Sequence, residues 1–89
     1  MSESIMHDVN KFIREYKDKK APSGAYYTFY FGGGYIDCKQ FESNQFIDGY
    51  ITLRDSRGKQ IGSIATLRVT SVYFSVKKYI TECLYRVEV

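Results

Sequence analysis

The sequence predicts an α+β fold in which an N-terminal amphipathic helix packs on an antiparallel, meander-like sheet of five or six strands. Apolar residues recur at helical spacing near the start, whereas the later segments alternate apolar with polar residues or are rich in aromatic and β-branched ones. Of the 89 residues, 44% are hydrophobic and 26% are charged, which is typical of a folded protein rather than a disordered one. This length predicts one domain, covering residues 1–89.

The helix is predicted over residues 4–19. One face of it carries an apolar stripe that is formed by Ile5, Val9, Phe12, Ile13 and Tyr16. Ser2 or Ser4 would cap the first turn, and Pro22 with Gly24 would end the helix. Because such a stripe needs a surface to cover, we expect the helix to pack on the strands that follow.

Six segments after the helix have the composition of β-strands. They cover residues 25–31, 35–41, 46–54, 59–69, 70–76 and 80–88. Asp55 and Gly58 predict a hairpin loop between the third and fourth segments, because Asp opens such turns and Gly adopts the left-handed conformation that closes them. Gly62 predicts a bulge in the fourth strand. The side chains expected to face inward on that strand are Ile61, Ala65, Leu67 and Val69.

The C-terminal segment, residues 72–87, fits two structures. Its apolar residues recur at helical spacing, which would give a C-terminal helix in place of the last strands. The same segment is rich in Val, Tyr, Phe, Ile and Thr and also alternates in its last part, which favours two strands. We therefore expect two strands joined by a turn at Lys77 and Lys78.

The most aromatic segment, residues 25–31, has the sequence AYYTFYF. Alternate residues of a strand point to opposite faces, and the more apolar set is expected to face the core: Tyr27, Phe29 and Phe31. Tyr26 and Tyr30 would then be exposed unless the helix crosses their side of the sheet. An aromatic surface that one sheet face cannot hide is typical of a site that binds a partner.

No catalytic or cofactor site is predicted. The single histidine, His7, lies on the predicted helix, and nothing in the spacing brings it near Cys38 or Ser63. His7, Cys38 and Cys83 are fewer than the roughly four ligands of a structural zinc site, so no metal is expected. The three glycines at 32–34 are not followed by a helix or by a phosphate-binding lysine, which favours a turn over a phosphate loop.

The chain is predicted to be cytoplasmic. Residues 1–20 lack the apolar core of a signal peptide. No apolar run approaches the roughly 20 residues that span a bilayer, so no membrane association is expected. Cys38 and Cys83 are compatible with a disulfide, but two buried free thiols are expected in a reducing compartment.

The net charge of +3 conceals an uneven distribution. Residues 21–50 hold one base and three acids, whereas residues 51–89 hold seven bases and three acids. The middle of the chain is therefore acidic and aromatic, and the C-terminal part is basic.

The residue pattern predicts a small non-enzymatic binding protein that occupies a surface of a partner protein. Small inhibitors of the type that phages or mobile elements direct at host or defence machinery have this general character. Tyr and Arg are enriched at the centres of protein interfaces because they combine a large contact area with hydrogen bonding. The expected contact residues are Tyr26, Tyr30, Tyr35, Arg54, Arg57 and Lys59.

Two alternatives stay open. A nucleic-acid-binding module, for single strands or RNA, would stack bases on exposed tyrosines and contact phosphates through basic residues. Those basic residues are Arg68, Lys77, Lys78 and Arg86. A homodimer would instead pair an edge strand, either 25–31 or 80–89, across a two-fold axis.

Overall fold

A computed structural model describes residues 5–44, 49–76 and 80–87, and within these ranges the chain forms one α-helix and seven strands. The elements are α1 (Val9–Tyr16), β1 (Ala25–Phe31), β2 (Gly34–Cys38), β3 (Gln40–Asn44), β4 (Tyr50–Arg54), β5 (Gln60–Ala65), β6 (Val69–Val76) and β7 (Ile80–Arg86). A 3-10 turn, Thr66–Arg68, lies between β5 and β6.

The strands form two antiparallel sheets. One has four strands in the order β2-β1-β6-β7, and the other has three in the order β3-β4-β5. The α+β class is therefore confirmed, whereas the expectation of a single sheet of five or six strands is wrong. β1 lies inside the four-stranded sheet, between β2 and β6, so it is not the edge strand that a dimer through residues 25–31 requires.

The two sheets separate at Lys39, inside the segment 35–41 that was expected to be one strand. Cys38 and Phe41 are both buried, although a regular strand would point residues three apart to opposite faces. A bend at Lys39 allows both side chains to be buried. The backbone N–H of Lys39 donates to the carbonyl of Arg54 at 3.0 Å. The chain thus leaves one sheet and enters the other without exposing either apolar side chain.

Helix α1 is shorter than the predicted 4–19 at both ends: it starts later because Asp8 caps it, and it ends at Tyr16, before Pro22 and Gly24, which were expected to end it. The Asp8 carboxylate accepts from the backbone N–H groups of Asn10 at 3.0 Å and Lys11 at 3.4 Å. A carboxylate in this position satisfies N–H groups that lack a partner in the first turn. The predicted caps, Ser2 and Ser4, lie outside the described residues.

The residues before α1 extend the four-stranded sheet. Met6 forms a parallel bridge with Tyr85, in which its N–H donates to Leu84 and its carbonyl accepts from Arg86, both at 3.0 Å. His7 consequently precedes the helix rather than lying on it. This bridge covers part of the free edge of β7.

Phe12 joins the helix to both sheets. Its ring centroid lies 6.3 Å from Phe29 and 5.8 Å from Tyr85 of the four-stranded sheet, and 5.4 Å from Phe41 of the three-stranded sheet. Phe29 and Phe41 also meet directly, at 4.9 Å. The remaining buried apolar residues surround these rings: Ile13, Ala21, Ala25, Tyr27, Cys38, Ile51, Leu53, Ile64, Val69, Val72 and Leu84.

The bulge expected at Gly62 is present and changes the face of the residues around it. Leu53 pairs with Gly62 and the next residue of β4 pairs with Gln60, so Ile61 is the extra residue. Ile61 is 44% exposed and Leu67 is 95% exposed, so the expectation that they face inward is wrong. The predicted strand 59–69 is in fact β5, the 3-10 turn and the first residue of β6.

The C-terminal segment forms strands, as favoured over a helix. β6 and β7 pair along their length, with a bulge opposite Val72 and Tyr73. Lys77 and Lys78, which were expected to form the connecting turn, lie outside the described residues. The first residues of the predicted strand 46–54, residues 46–48, also lie outside the described residues, and β4 begins at Tyr50.

We predict that Phe12→Ala destabilises the protein by about 3–5 kcal/mol, because it removes the ring that both sheets contact. The change in the free energy of unfolding is measured by urea denaturation. The matched control is Arg14→Ala on the exposed side of α1, which should change the free energy of unfolding by less than about 0.5 kcal/mol. Equal effects of the two substitutions would contradict the central role of Phe12.

The β4–β5 hairpin depends on Asp55, and its stability should depend on pH. The carboxylate of Asp55 accepts from the N–H groups of Lys59 and Arg57, both at 2.9 Å. The hydrogen bond from Lys59, followed by that from Arg57, lowers the pKa of this carboxyl from its ordinary value of 3.8. A folded-state pKa below the unfolded one contributes stability that is present above the unfolded pKa and is lost as the pH falls through the folded pKa.

We therefore expect Asp55 to titrate below 3.8 in the folded protein when followed by NMR. Asp55→Ala should flatten the acid dependence of the free energy of unfolding, because it removes this carboxyl. A midpoint at or above the ordinary value would show that these hydrogen bonds do not form in solution.

Candidate functional site

The four-stranded sheet has one core face and one open face. Successive side chains of β1 point to opposite faces, and those of Tyr27 and Phe29 lie in the core, where they are 3% and 0% exposed. α1 packs on that side through Phe12. Tyr26, Thr28 and Tyr30 therefore lie on the opposite side, and among the described residues no helix covers them.

A groove of about 550 Å³ runs over this open face. Its walls and floor come from all four strands, and we call this surface the tyrosine face. Its lining residues are Tyr26, Thr28, Tyr30, Tyr35, Asp37, Ser71, Tyr73, Ser75 and Thr81.

The register of β1 and β6 places large and small residues in alternation. On the open face, each tyrosine of these two strands stands opposite a small hydroxyl residue, in the pairs Tyr26–Ser75, Thr28–Tyr73 and Tyr30–Ser71. Thr28 and Ser75 are only 7% and 6% exposed because the neighbouring rings rise beside them. The face is therefore a set of rings around depressions that are lined by hydroxyl groups.

Three tyrosines form an exposed aromatic cluster. The Tyr30 ring lies 5.6 Å from Tyr35 with a tilt of 35°, and 5.7 Å from Tyr73 in an edge-to-face arrangement. Tyr30 is 41% exposed and Tyr35 is 61% exposed. Ring–ring contacts at these distances hold the side chains in place without burying them.

Asp37 is the one charged residue among the nine that line the groove. Its carboxylate accepts a hydrogen bond of 2.6 Å from the hydroxyl of Thr28, directly across the β1–β2 pair. An ionised carboxylate accepts about four hydrogen bonds, so Asp37 retains acceptor capacity toward a partner.

The predicted bases do not line this groove. The Arg54 guanidinium donates to Glu42, at 2.9 Å through Nε and 2.5 Å through Nη2, and to the Gly58 carbonyl at 2.9 Å. Arg54 thus connects β3, β4 and the hairpin loop. Arg57 and Lys59 are exposed on that loop, which begins beside the groove, since Tyr26 and Asp55 line one adjoining cavity of about 130 Å³.

The basic residues of the nucleic-acid alternative are dispersed. Arg68 lines a different groove, of about 200 Å³, together with Phe31 and Tyr50. Arg86 stands opposite Ser71, at the β7 end of the row that holds Tyr30 and Tyr35. Lys77 and Lys78 lie outside the described residues.

Sequence reasoning found Tyr26, Tyr30 and Tyr35 but did not assign Asp37 or the hydroxyl residues to the contact surface. The available signal was the alternation of β6, in which Ser71, Tyr73 and Ser75 share one face. Pairing of β1 with β6 is what places these residues beside Tyr26 and Tyr30.

The residues considered for catalysis lie apart. His7 is exposed, with Nδ1 at 3.0 Å from the Arg86 carbonyl. Cys38 is buried, and burial raises the pKa of its thiol to about 12. Within the described ranges, no three His, Cys, Asp or Glu residues are grouped closely enough to hold a metal ion.

Both cysteines are free thiols. Cys38 is on β2 and Cys83 on β7, the two outer strands of the same sheet. Three inter-strand spacings, roughly 14 Å, separate them, whereas a disulfide requires Cα atoms within about 7 Å. The compatibility with a disulfide noted from the sequence therefore does not hold in this fold.

Comparison with protein-family models, with curated proteins and with solved structures found no match to this chain. In the part of the chain that the structure describes, no helix is long and apolar enough to cross a membrane.

The two thiols should differ in reactivity. At pH 8, iodoacetamide should modify the partly exposed Cys83 in the folded protein, while Cys38 stays protonated and shielded. Mass spectrometry after digestion measures this, and both thiols should react once the protein is unfolded in urea. Equal labelling rates in the folded state would contradict the burial of Cys38.

Proposed function

We propose that this protein is a non-enzymatic binding protein that occupies a surface of a partner protein with its tyrosine face. The observation that carries the proposal is the cluster of exposed Tyr30 and Tyr35 with half-buried Tyr73, over a groove on a sheet face that no described helix covers. The mode of action is that of an inhibitor or adaptor, and the expected location is the cytoplasm.

The chemistry of the face suits a protein partner. Tyrosine brings a large, rigid contact area at a low cost in conformational entropy, and Ser and Thr add adaptable hydrogen bonds. The tyrosine face combines four tyrosines with four hydroxyl residues. Because β-strands hold these side chains, little ordering is needed when a partner binds.

The size of the face indicates that the partner reaches beyond it. Four strands are about 15 Å across and seven residues are about 20 Å long. The projected area of roughly 300 Å² is less than half of the ~800 Å² that each partner buries in a standard interface. Contacts are therefore expected at the margin too, where the β4–β5 hairpin carries Arg57 and Lys59.

The charges favour a protein over a nucleic acid. The charged group in the groove is the carboxylate of Asp37, which repels phosphate. Nucleic-acid-binding surfaces instead place Lys and Arg next to the stacking rings. Arg54 is engaged by Glu42 and Gly58, and Arg68 lines another groove. Arg86 lies at the β7 end of the row that holds Tyr30, and it is not among the nine described residues that line the groove.

The test is affinity capture from the source cell with nuclease present, comparing two tyrosine substitutions of matched exposure. Tyr30 is 41% exposed on the tyrosine face, and Tyr50 is 42% exposed on the three-stranded sheet. Tyr30→Ser should weaken binding of the captured protein by about tenfold or more, as expected for a central interface tyrosine. Tyr50→Ser should leave it within about twofold.

Two results would contradict the proposal. Equal capture by Tyr30→Ser and the unsubstituted protein would exclude the tyrosine face as the contact surface. Loss of capture on nuclease treatment, with affinity for oligonucleotides falling linearly in log[salt], would instead support the nucleic-acid alternative.

A further inference from the structure

The carboxylate of Asp37 stands among tyrosine rings. Tyr35 precedes it by two positions on the same face of β2, and Thr28 stands opposite it. Tyr26 and Tyr30 flank Thr28 on β1 and are thus the diagonal neighbours of Asp37. Diagonal neighbours on one sheet face have Cβ atoms about 7–8 Å apart, within the reach of aromatic side chains. Rings therefore border the carboxylate along and across the strands.

This arrangement has the electrostatics of a cation site. The faces of aromatic rings carry negative partial charge and attract cations within about 6 Å of the ring centroid. Asp37 adds a full negative charge at the same place. Lys39 lines an adjoining cavity with Asp37, but its ammonium donates to the carbonyls of Pro22 and Ala25. Arg86 on β7 is three inter-strand spacings, roughly 14 Å, from Asp37 on β2, and salt screens exposed charges over about 8 Å.

The hydrogen-bonding groups select among cations. A guanidinium is planar, stacks on aromatic rings and donates five hydrogen bonds in a fixed fork. Asp37 has free acceptor capacity for part of this fork. The hydroxyl groups of Ser71, Ser75 and Thr81 line the same groove two or three strands away from Asp37, within reach of other groups of a partner. An ammonium is more strongly hydrated and cannot stack as a plane.

We infer that the tyrosine face receives an arginine side chain of the partner protein, with the guanidinium bound by Asp37 and stacked against the tyrosine cluster. The inference rests on the proposed function and adds the chemistry of the partner, which presents an arginine from a basic segment. Charge complementarity carries it, since the one charged side chain among the described residues that line the groove is negative.

The test uses NMR of the purified protein with isotope-labelled backbone amides and tyrosine rings. The probe is an acetylated, amidated Gly-Arg-Gly-Arg-Gly peptide, and its counterparts carry lysine or citrulline in place of arginine. Citrulline keeps the shape and loses the charge. The arginine peptide should shift the signals of Tyr30, Tyr35, Asp37 and Tyr73 saturably, with affinity on the order of millimolar.

Asp37→Asn should reduce the affinity for the arginine peptide by about tenfold, because a charge-assisted hydrogen bond is lost. The fold is retained in this variant, since the exposed amide still accepts from Thr28. Glu15→Gln makes the same change of charge on the exposed surface of α1. Its affinity for the arginine peptide should stay within about twofold of that of the unsubstituted protein.

A second pair of variants tests the rings. Tyr35 is 61% exposed, so its substitution leaves the core intact. Tyr35→Leu should reduce the affinity for the arginine peptide by about threefold. Tyr35→Phe keeps the ring, and its affinity should equal that of the unsubstituted protein.

Three results would overturn the inference: equal binding of the citrulline peptide, equal binding of the lysine peptide, or equal affinities of Asp37→Asn and Glu15→Gln. A dimer that Asp37→Asn dissociates in sedimentation would also overturn it, since the occupant would then be a second copy of this chain. The peptide assay tests only the arginine site, so a negative result there would not contradict the proposed function. The affinity-capture experiment tests the proposed function independently.

Discussion

The fold depends on one aromatic contact, the packing of Phe12 between Phe29 of the four-stranded sheet and Phe41 of the three-stranded sheet. Each sheet has one apolar face that must be covered, and a small chain has few residues with which to cover it. Asp8 and the bend at Lys39 set the position of the three rings, the first by starting α1 and the second by moving the chain to the other sheet.

Among the described residues, this convergence leaves no helix or second sheet over the tyrosine face. The helix and the three-stranded sheet both lie on the core side of the four-stranded sheet, so its alternation sends Tyr26, Tyr30 and Tyr73 to the other side. Edge-to-face and tilted ring contacts then hold Tyr30, Tyr35 and Tyr73 in place. The same constraint that builds the core therefore also builds a rigid contact surface.

The charges show why composition is a poor guide to a surface. Arg54 belongs to the basic C-terminal part of the chain, yet its guanidinium connects β3, β4 and the hairpin loop. The Lys39 ammonium donates to the carbonyls of Pro22 and Ala25. In contrast Asp37, from the acidic middle, lies among the tyrosines. A net positive chain thus presents a negative group where a partner is proposed to bind.

The sequence by itself determined the α+β class, the strands at the C-terminus, the hairpin at Asp55 and the inward direction of Phe29, because alternation and turn chemistry act between near neighbours. Only the tertiary structure decided that there are two sheets, that Ile61 and Leu67 are exposed, and that Asp37 and Tyr73 join Tyr30 on one surface. These features depend on a bulge, a bend and the pairing of β1 with the distant β6. Such pairing is selected by the total apolar area that the whole chain buries, which no local pattern specifies.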